Sequence, residues 1–237
     1  MLIFISETEK INYFRNSNLP ALKTKNIKYS VYFLILFYVV GITGFIVPQT
    51  HSFFKTLTPF ALLISAAFLA WFHRPAINLK TAIVFAAIFI VSFFTEMVGV
   101  ETGLVFGDYS YDGGLGPKIF DTPLMIGLNW LMLIYCTKIF ADKISENQIT
   151  KLFFGSFLMV VYDFVLEQAA PKLGMWSWDG GTVPVQNYTT WFLLAFLFHW
   201  LIRKAKVQFK NPLAIPVFLI QFLFFVTLVV YFLISGL

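Results

Sequence analysis

The sequence is poor in the residues that usually carry metal, redox or disulfide chemistry. Cys136 is its one cysteine, and the three histidines, His51, His73 and His199, lie far apart along the chain. A disulfide framework is excluded, and neither a cysteine-based metal site nor a His-x-x-x-His pair can be built. Cys136 sits in an apolar run and reads as packing. Charge is also scarce: Asp, Glu, Lys and Arg make up 12% of the 237 residues, where soluble domains carry about 25%. No dinucleotide fingerprint, P-loop, internal repeat or low-complexity tract occurs. The last apolar run contains no lysine, which removes a retinal Schiff base of the usual kind.

What is abundant is apolar surface. Hydrophobic residues make up 59% of the chain, with 30 phenylalanines, and they come in long runs rather than alternating ones. A small water-soluble core cannot hide this much apolar surface. A spanning helix needs about 20 mostly apolar residues. Seven runs qualify: Tyr29–Val47, Leu57–His73, Thr81–Val98, Pro123–Ala141, Thr150–Ala170, Asn187–Arg203 and Pro212–Ile234. The second and sixth are short and are expected to be tilted or extended. The fold class is therefore all-α, a polytopic integral membrane bundle of about seven transmembrane helices. Residues 29–237 form a single transmembrane domain. Residues 1–28 are polar and basic, lack a signal-peptide pattern, and are expected to be a cytoplasmic tail. Of the connections, only Gly99–Thr122 and Pro171–Gln186 are long. The first is rich in Gly and Tyr and is expected either to fold back into the bundle or to lie on the membrane surface.

Charge gives the bundle a direction. The net charge of +5 does not point to nucleic acid, because the basic residues sit at helix ends and form no single patch. With the N-terminus inside, 14 of the 17 Lys and Arg residues fall on inner segments. This predicts N-terminus in, C-terminus out, in the cell (inner) membrane. The carboxylates run the other way. Glu96, Glu101, Asp108, Asp112, Asp121, Asp163, Glu167 and Asp179 gather at or near the outer side.

Three acids stand out. Glu96 closes an otherwise apolar helix, and a carboxyl at that depth is costly and tends to face the bundle interior. Asp163 and Glu167 are four residues apart, so they share one helix face that is unsuited to lipid. They are expected to share a proton, to position water, or to pair with Asn129 or a tyrosine. Asp108 and Asp112 have Asp-x-x-x-Asp spacing, but a companion acidic motif is missing and glycines surround them, so turns explain them better than a metal. Tyr109, Tyr111, Trp130, Trp176, Trp178, Tyr188 and Trp191 map beside the acids. Any one of them reads as part of the interfacial aromatic belt, but together they could surround a cation.

These residues carry a family resemblance. Glu96-x-x-Gly99, Phe106-Gly107-x-Tyr109-x-Tyr111 and Pro123 followed by Asn129-Trp130 form its first half. Asp163-x-x-x-Glu167, Trp176-x-Trp178 and Pro184-x-x-Asn187-Tyr188-x-x-Trp191 form its second. Across these segments the chain resembles the bacterial and archaeal carotenoid biosynthesis membrane proteins, among them the carotenoid 1,2-hydratases of bisanhydrobacterioruberin type. The first third and the last helix match only in hydropathy.

The resemblance implies acid-catalysed hydration of the terminal C1=C2 bond of an acyclic (ψ-end) carotenoid to a tertiary alcohol, with no cofactor and no metal. It implies a lipid-soluble carotenoid substrate among membrane lipids, and association with other enzymes of carotenoid synthesis is compatible with that setting. Glu96 is the first candidate for proton donor and Asp163 the second, with Glu167 or Asp108 orienting water. Tyr109, Tyr111, Asn129, Trp130, Trp176, Trp178 and Asn187 are the candidate substrate-binding residues. Three rivals stay open: a lycopene cyclase, in which an internal double bond captures the cation; a membrane transporter; and a pigment-binding protein without catalysis.

Overall fold

A computed structural model describes the backbone of residues 7–236 and the side chains of residues 26–236. The tail expected over residues 1–28 falls mostly outside the described side chains. Among the described residues seven α-helices follow one another: α1 (Glu7–Ile46), α2 (Pro48–Phe72), α3 (Leu79–Thr102), α4 (Leu124–Ile144), α5 (Gln148–Ala169), α6 (Val185–Lys204) and α7 (Ala214–Ser235). Six of them, α1 over Asn26–Ile46, α2, α3, α4, α5 and α7, are long and apolar enough to cross a membrane. The chain is a multi-pass membrane protein with an all-α bundle. Helix α6 has the length of a span but is less apolar, since Asn187, His199, Arg203 and Lys204 lie on it.

The helix ends follow from local chemistry. Val47 is held extended by the proline that follows it, and Pro48 opens α2 at a position where its missing N–H costs nothing. Asn78 caps α3 by accepting the Thr81 N–H at 2.9 Å. Asn147 caps α5 by accepting the Ile149 and Thr150 N–H groups. Helix α2 extends beyond the apolar run Leu57–His73, as allowed for a short span: it begins at Pro48, takes in His51 and Lys55, and holds Pro59 inside the helix. Membrane helices tolerate such a proline because neighbouring groups and small backbone adjustments satisfy what it frees.

Helix α4 forms the centre. Its residues from Asn129 to Ile139 are nearly all buried, and it packs against α2, α3, α5, α6 and α7. Helix α1 lies between α2 and α7, and α5 lies between α6 and α4. Packing of this kind rests on close van der Waals contact, because lipid is as apolar as the side chains it replaces.

Two small antiparallel ribbons, which the hydropathy pattern did not announce, join the helices at one end. Strand β1 (Tyr109–Tyr111) pairs with β4 (Trp176–Trp178), and β2 (Lys118–Ile119) pairs with β3 (Thr122–Pro123). The Gly99–Thr122 connection thus returns to the bundle.

Candidate functional site

The β1–β4 ribbon explains why the outer-loop aromatics meet the helix acids. Its register sets Tyr109 opposite Trp178, Ser110 opposite Ser177 and Tyr111 opposite Trp176. Side chains alternate along a strand, so the Tyr-Ser-Tyr and Trp-Ser-Trp triplets turn four aromatic rings to one buried face. The ribbon is extended by Asp112 N–H to Met175 O at 2.9 Å and Gly114 N–H to Gly174 O at 2.8 Å. The Lys118 ammonium donates to the Tyr111 carbonyl. Upstream, α3 ends at Gly103 in the left-handed conformation, φ 66°, which turns the chain toward the ribbon. Thr190 and Gln186 of α6 then hold that turn through the Val105 and Leu104 carbonyls.

The buried face of the ribbon meets two carboxyl groups. Tyr109 and Tyr111 donate their hydroxyls to Glu96 Oε2 at 2.7 and 2.8 Å, and Trp130 Nε1 donates to Glu96 Oε1 at 2.8 Å. Trp178 and Trp176 donate their indole N–H groups to Glu167 Oε2 at 2.7 and 2.9 Å. Each strand therefore supplies two donors to a single oxygen. Burial, and then the adjacent Glu96 carboxylate, push both tyrosine hydroxyls above their ordinary range, so they remain neutral donors.

A third acid joins through an amide. Asn187 Nδ2 donates to Asp163 Oδ2 at 2.8 Å and to Glu167 Oε1 at 3.2 Å. Asp163 Oδ1 is buried with no partner among the described residues. Glu96, Asp163 and Glu167 are 3%, 0% and 4% exposed, so the protein itself must satisfy them. The sequence expectation of Asn129 or a tyrosine as partner to the α5 acids is corrected here: Asn187 and two tryptophans hold them.

Two cavities adjoin at this point. The larger, about 350 Å³, is almost wholly apolar and runs between α1, α2, α4, α5 and α7. Asn129 borders it, and Tyr162, Phe224 and Phe225 line its depth. Val40 and Phe60 also line it and are 51% and 59% exposed, which puts the mouth on the outer surface of the bundle between α1 and α2. The smaller cavity, about 10 Å³, lies among Glu96, Glu167, Asn187, the ribbon aromatics and Trp191. Ile126 and Trp176 are walls of both.

Of the residues singled out in the sequence, Glu96, Tyr109, Tyr111 and Trp130 form one hydrogen-bonded set. Asp163, Glu167, Trp176, Trp178 and Asn187 form the other. The structure does not bring Asp108 to either set; it is exposed, with its carboxylate against Gly103. Asp112 accepts from Ser177 on the outer side of the ribbon. Sequence reasoning passed over Ile126, and it named Phe106 and Trp191 as motif residues without making either a candidate site residue. Trp191 stacks on Trp130 with ring centroids 4.1 Å apart, and its spacing of four residues from Asn187 on α6 was the available signal.

Comparison with known proteins agrees with this picture. A family model described as carotenoid biosynthesis protein matches residues 57–237. A bisanhydrobacterioruberin hydratase from Haloarcula japonica is 26% identical over 132 residues, which cover 50% of this chain and 43% of the relative. The match thus spans less than half of that relative's length. No solved structure matches the chain. With three quarters of its length matched by the family model, ribbon and buried acids included, the chain belongs to the carotenoid biosynthesis protein family.

Proposed function

We propose that this protein adds water across the terminal C1=C2 bond of an acyclic carotenoid. One observation carries the reading. Glu96 and Glu167 face one small cavity, and Ile126 and Trp176 are walls both of that cavity and of a large apolar one. The apolar cavity suits the hydrocarbon end group. The small cavity has room for roughly one water and offers it several polar partners.

The chemistry needs an acid, a base and a stabilised cation. In the proposed step a carboxylic O–H gives its proton to C2, and the alkene π electrons form the new C–H bond. The tertiary cation left at C1 is captured by the oxygen of water. That water passes its second proton to a carboxylate, so the net change is the addition of one water. Glu96 is the proposed donor. Its tyrosine partners can donate or accept as their hydroxyls rotate, so they serve it with or without its proton. Glu167 is the proposed water-orienting carboxylate, since its indole partners can only donate. Asp163, linked through Asn187, is the proposed proton store that resets the pair. Trp176, Tyr109 and Tyr111, which line the small cavity, are the proposed stabilisers of the cation.

The basic end of the bundle is assigned to the cytoplasm by the excess of Lys and Arg there. On this reading the site lies in the outer half of the cell membrane.

The test is expression in a host that accumulates acyclic ψ-end carotenoid, followed by pigment analysis. Hydration predicts a product one water heavier. An isomer of unchanged mass would establish cyclisation and sink this reading. Unchanged pigment in several such hosts would favour a binder or a carrier. Glu96→Gln is expected to abolish the product while membrane insertion persists.

A further inference from the structure

The end of the bundle opposite the acids holds more positive charge than the protein neutralises. Asp142 on α4 accepts from Lys138 Nζ at 2.5 Å and Arg203 Nη1 at 3.0 Å, and Lys151 Nζ lies 3.8 Å away. Lys151 also reaches Glu146 at 3.5 Å, but that carboxylate is fully solvated. Lys138 and Lys151 are each only 7% exposed. One partly buried carboxylate therefore serves three largely buried cations, and uncompensated buried charge is costly. Arg203 Nε and Nη2 are buried with no acceptor among the described residues.

This surplus borders a groove of about 420 Å³ between the ends of α4, α5 and α6. Lys138, Arg203, Lys206 and Lys210 line it, with the Phe209 ring 5.2 Å from the Lys138 ammonium. Gln148, at the first turn of α5, lines it together with Val207 and Gln208, so the positive end of a helix dipole adds to the field. Lys206 stands at φ 51°, a left-handed position just past α6 where glycine is the usual occupant. A lysine held there at a cost, on the rim of a cationic groove, suggests selection for its charge. Nearby on α6, Trp200 is half exposed and carries the Lys204 ammonium 4.6 Å above its ring, the pattern of a residue at headgroup depth.

We propose that this groove binds the phosphate group of an anionic membrane lipid, with its acyl chains in the bilayer. The lipid would supply the negative charge that Asp142 alone does not. The site is separate from the acid cluster and stands whether or not the hydratase reading does.

The experiment uses the full chain in lipid nanodiscs, with phosphatidylcholine alone or with added phosphatidylglycerol, and native mass spectrometry as the readout. The unaltered protein is expected to retain phosphatidylglycerol. The double variant Lys206→Gln, Lys210→Gln removes two exposed charges and should weaken that retention roughly tenfold or more. A control pair on the same end, Lys80→Gln with Lys143→Gln, should leave it unchanged. Equal retention in the groove variant would overturn the proposal, as would an equal loss in the control pair. Displacement of the lipid by millimolar inorganic phosphate would overturn the lipid as occupant.

Discussion

Tyr109 and Trp178 face each other across the β1–β4 ribbon with ring centroids 5.1 Å apart, yet their polar atoms serve different acids. The tyrosine donates to Glu96 and the tryptophan to Glu167, each at 2.7 Å. One pair of rings in tilted contact therefore helps to fix the spacing of two carboxyls that come from two different helices. Neither acid can shift without the ribbon.

Removing single donors should expose this dependence. Tyr109→Phe and Tyr111→Phe each delete one hydrogen bond to the buried Glu96, and leaving a buried polar group short of a partner costs about 1–3 kcal/mol. Product formation in isolated membranes is expected to fall at least tenfold in each variant, with the protein still inserted. Full activity in both would remove the hydroxyl pair from the mechanism.

Gly99 tests the packing behind the ribbon. A methyl group there would sit 2.6 Å from the Phe106 ring and 3.4 Å from the Tyr109 hydroxyl. Gly99→Ala should force Phe106 aside, at an overpacking cost of about 1–3 kcal/mol. A thermal melt followed by tryptophan fluorescence will register that loss. Turnover should fall by more than the stability change accounts for, because the displaced ring carries Tyr109 with it.

The large cavity can be filled without touching any acid. Ala61 lines it, and Ala61→Phe would occupy much of its width. The variant should fold, and its apparent KM for carotenoid should rise more than its kcat falls. A fall in kcat alone would place the hydrocarbon elsewhere.

Much of this was legible in the sequence, and the reason is energetic. Glu96, Asp163 and Glu167 interrupt apolar runs, and carboxyls in such runs must find partners inside the protein. The partners were harder to read. Tyr109 and Trp178 are separated by an entire helical hairpin, and strands of three residues give too short an alternation to stand out from a loop. Tyr-Ser-Tyr and Trp-Ser-Trp do alternate, but only their mutual register gives the pattern meaning. Asn129 and Asn187 looked equivalent as amides; the helix geometry sends one to the apolar cavity and the other between two acids. Asp108 shared the acidic outer loop with no sign that it would remain at the surface. The first nine residues of α2 were missed because His51, Ser52, Lys55 and Thr56 interrupt the apolar run there.

At the opposite end, Asp142 is the common anchor for Lys138, Lys151 and Arg203. Asp142→Asn should destabilise the protein by about 2 kcal/mol, since three cations would lose their shared acceptor. Thermal unfolding in zwitterionic detergent will measure it. An unchanged midpoint would mean that solvent already screens the cluster.

The mouth between Val40 and Phe60 determines what counts as concentration for this protein. A molecule that arrives through it comes from a two-dimensional oil, while any water reaching Glu96 and Glu167 comes from the aqueous phase. On the proposed reading, Ile126 and Trp176 are the phase boundary. Rate should then track the mole fraction of carotenoid in the lipid, so diluting the substrate with inert lipid slows the reaction even when the total amount is unchanged.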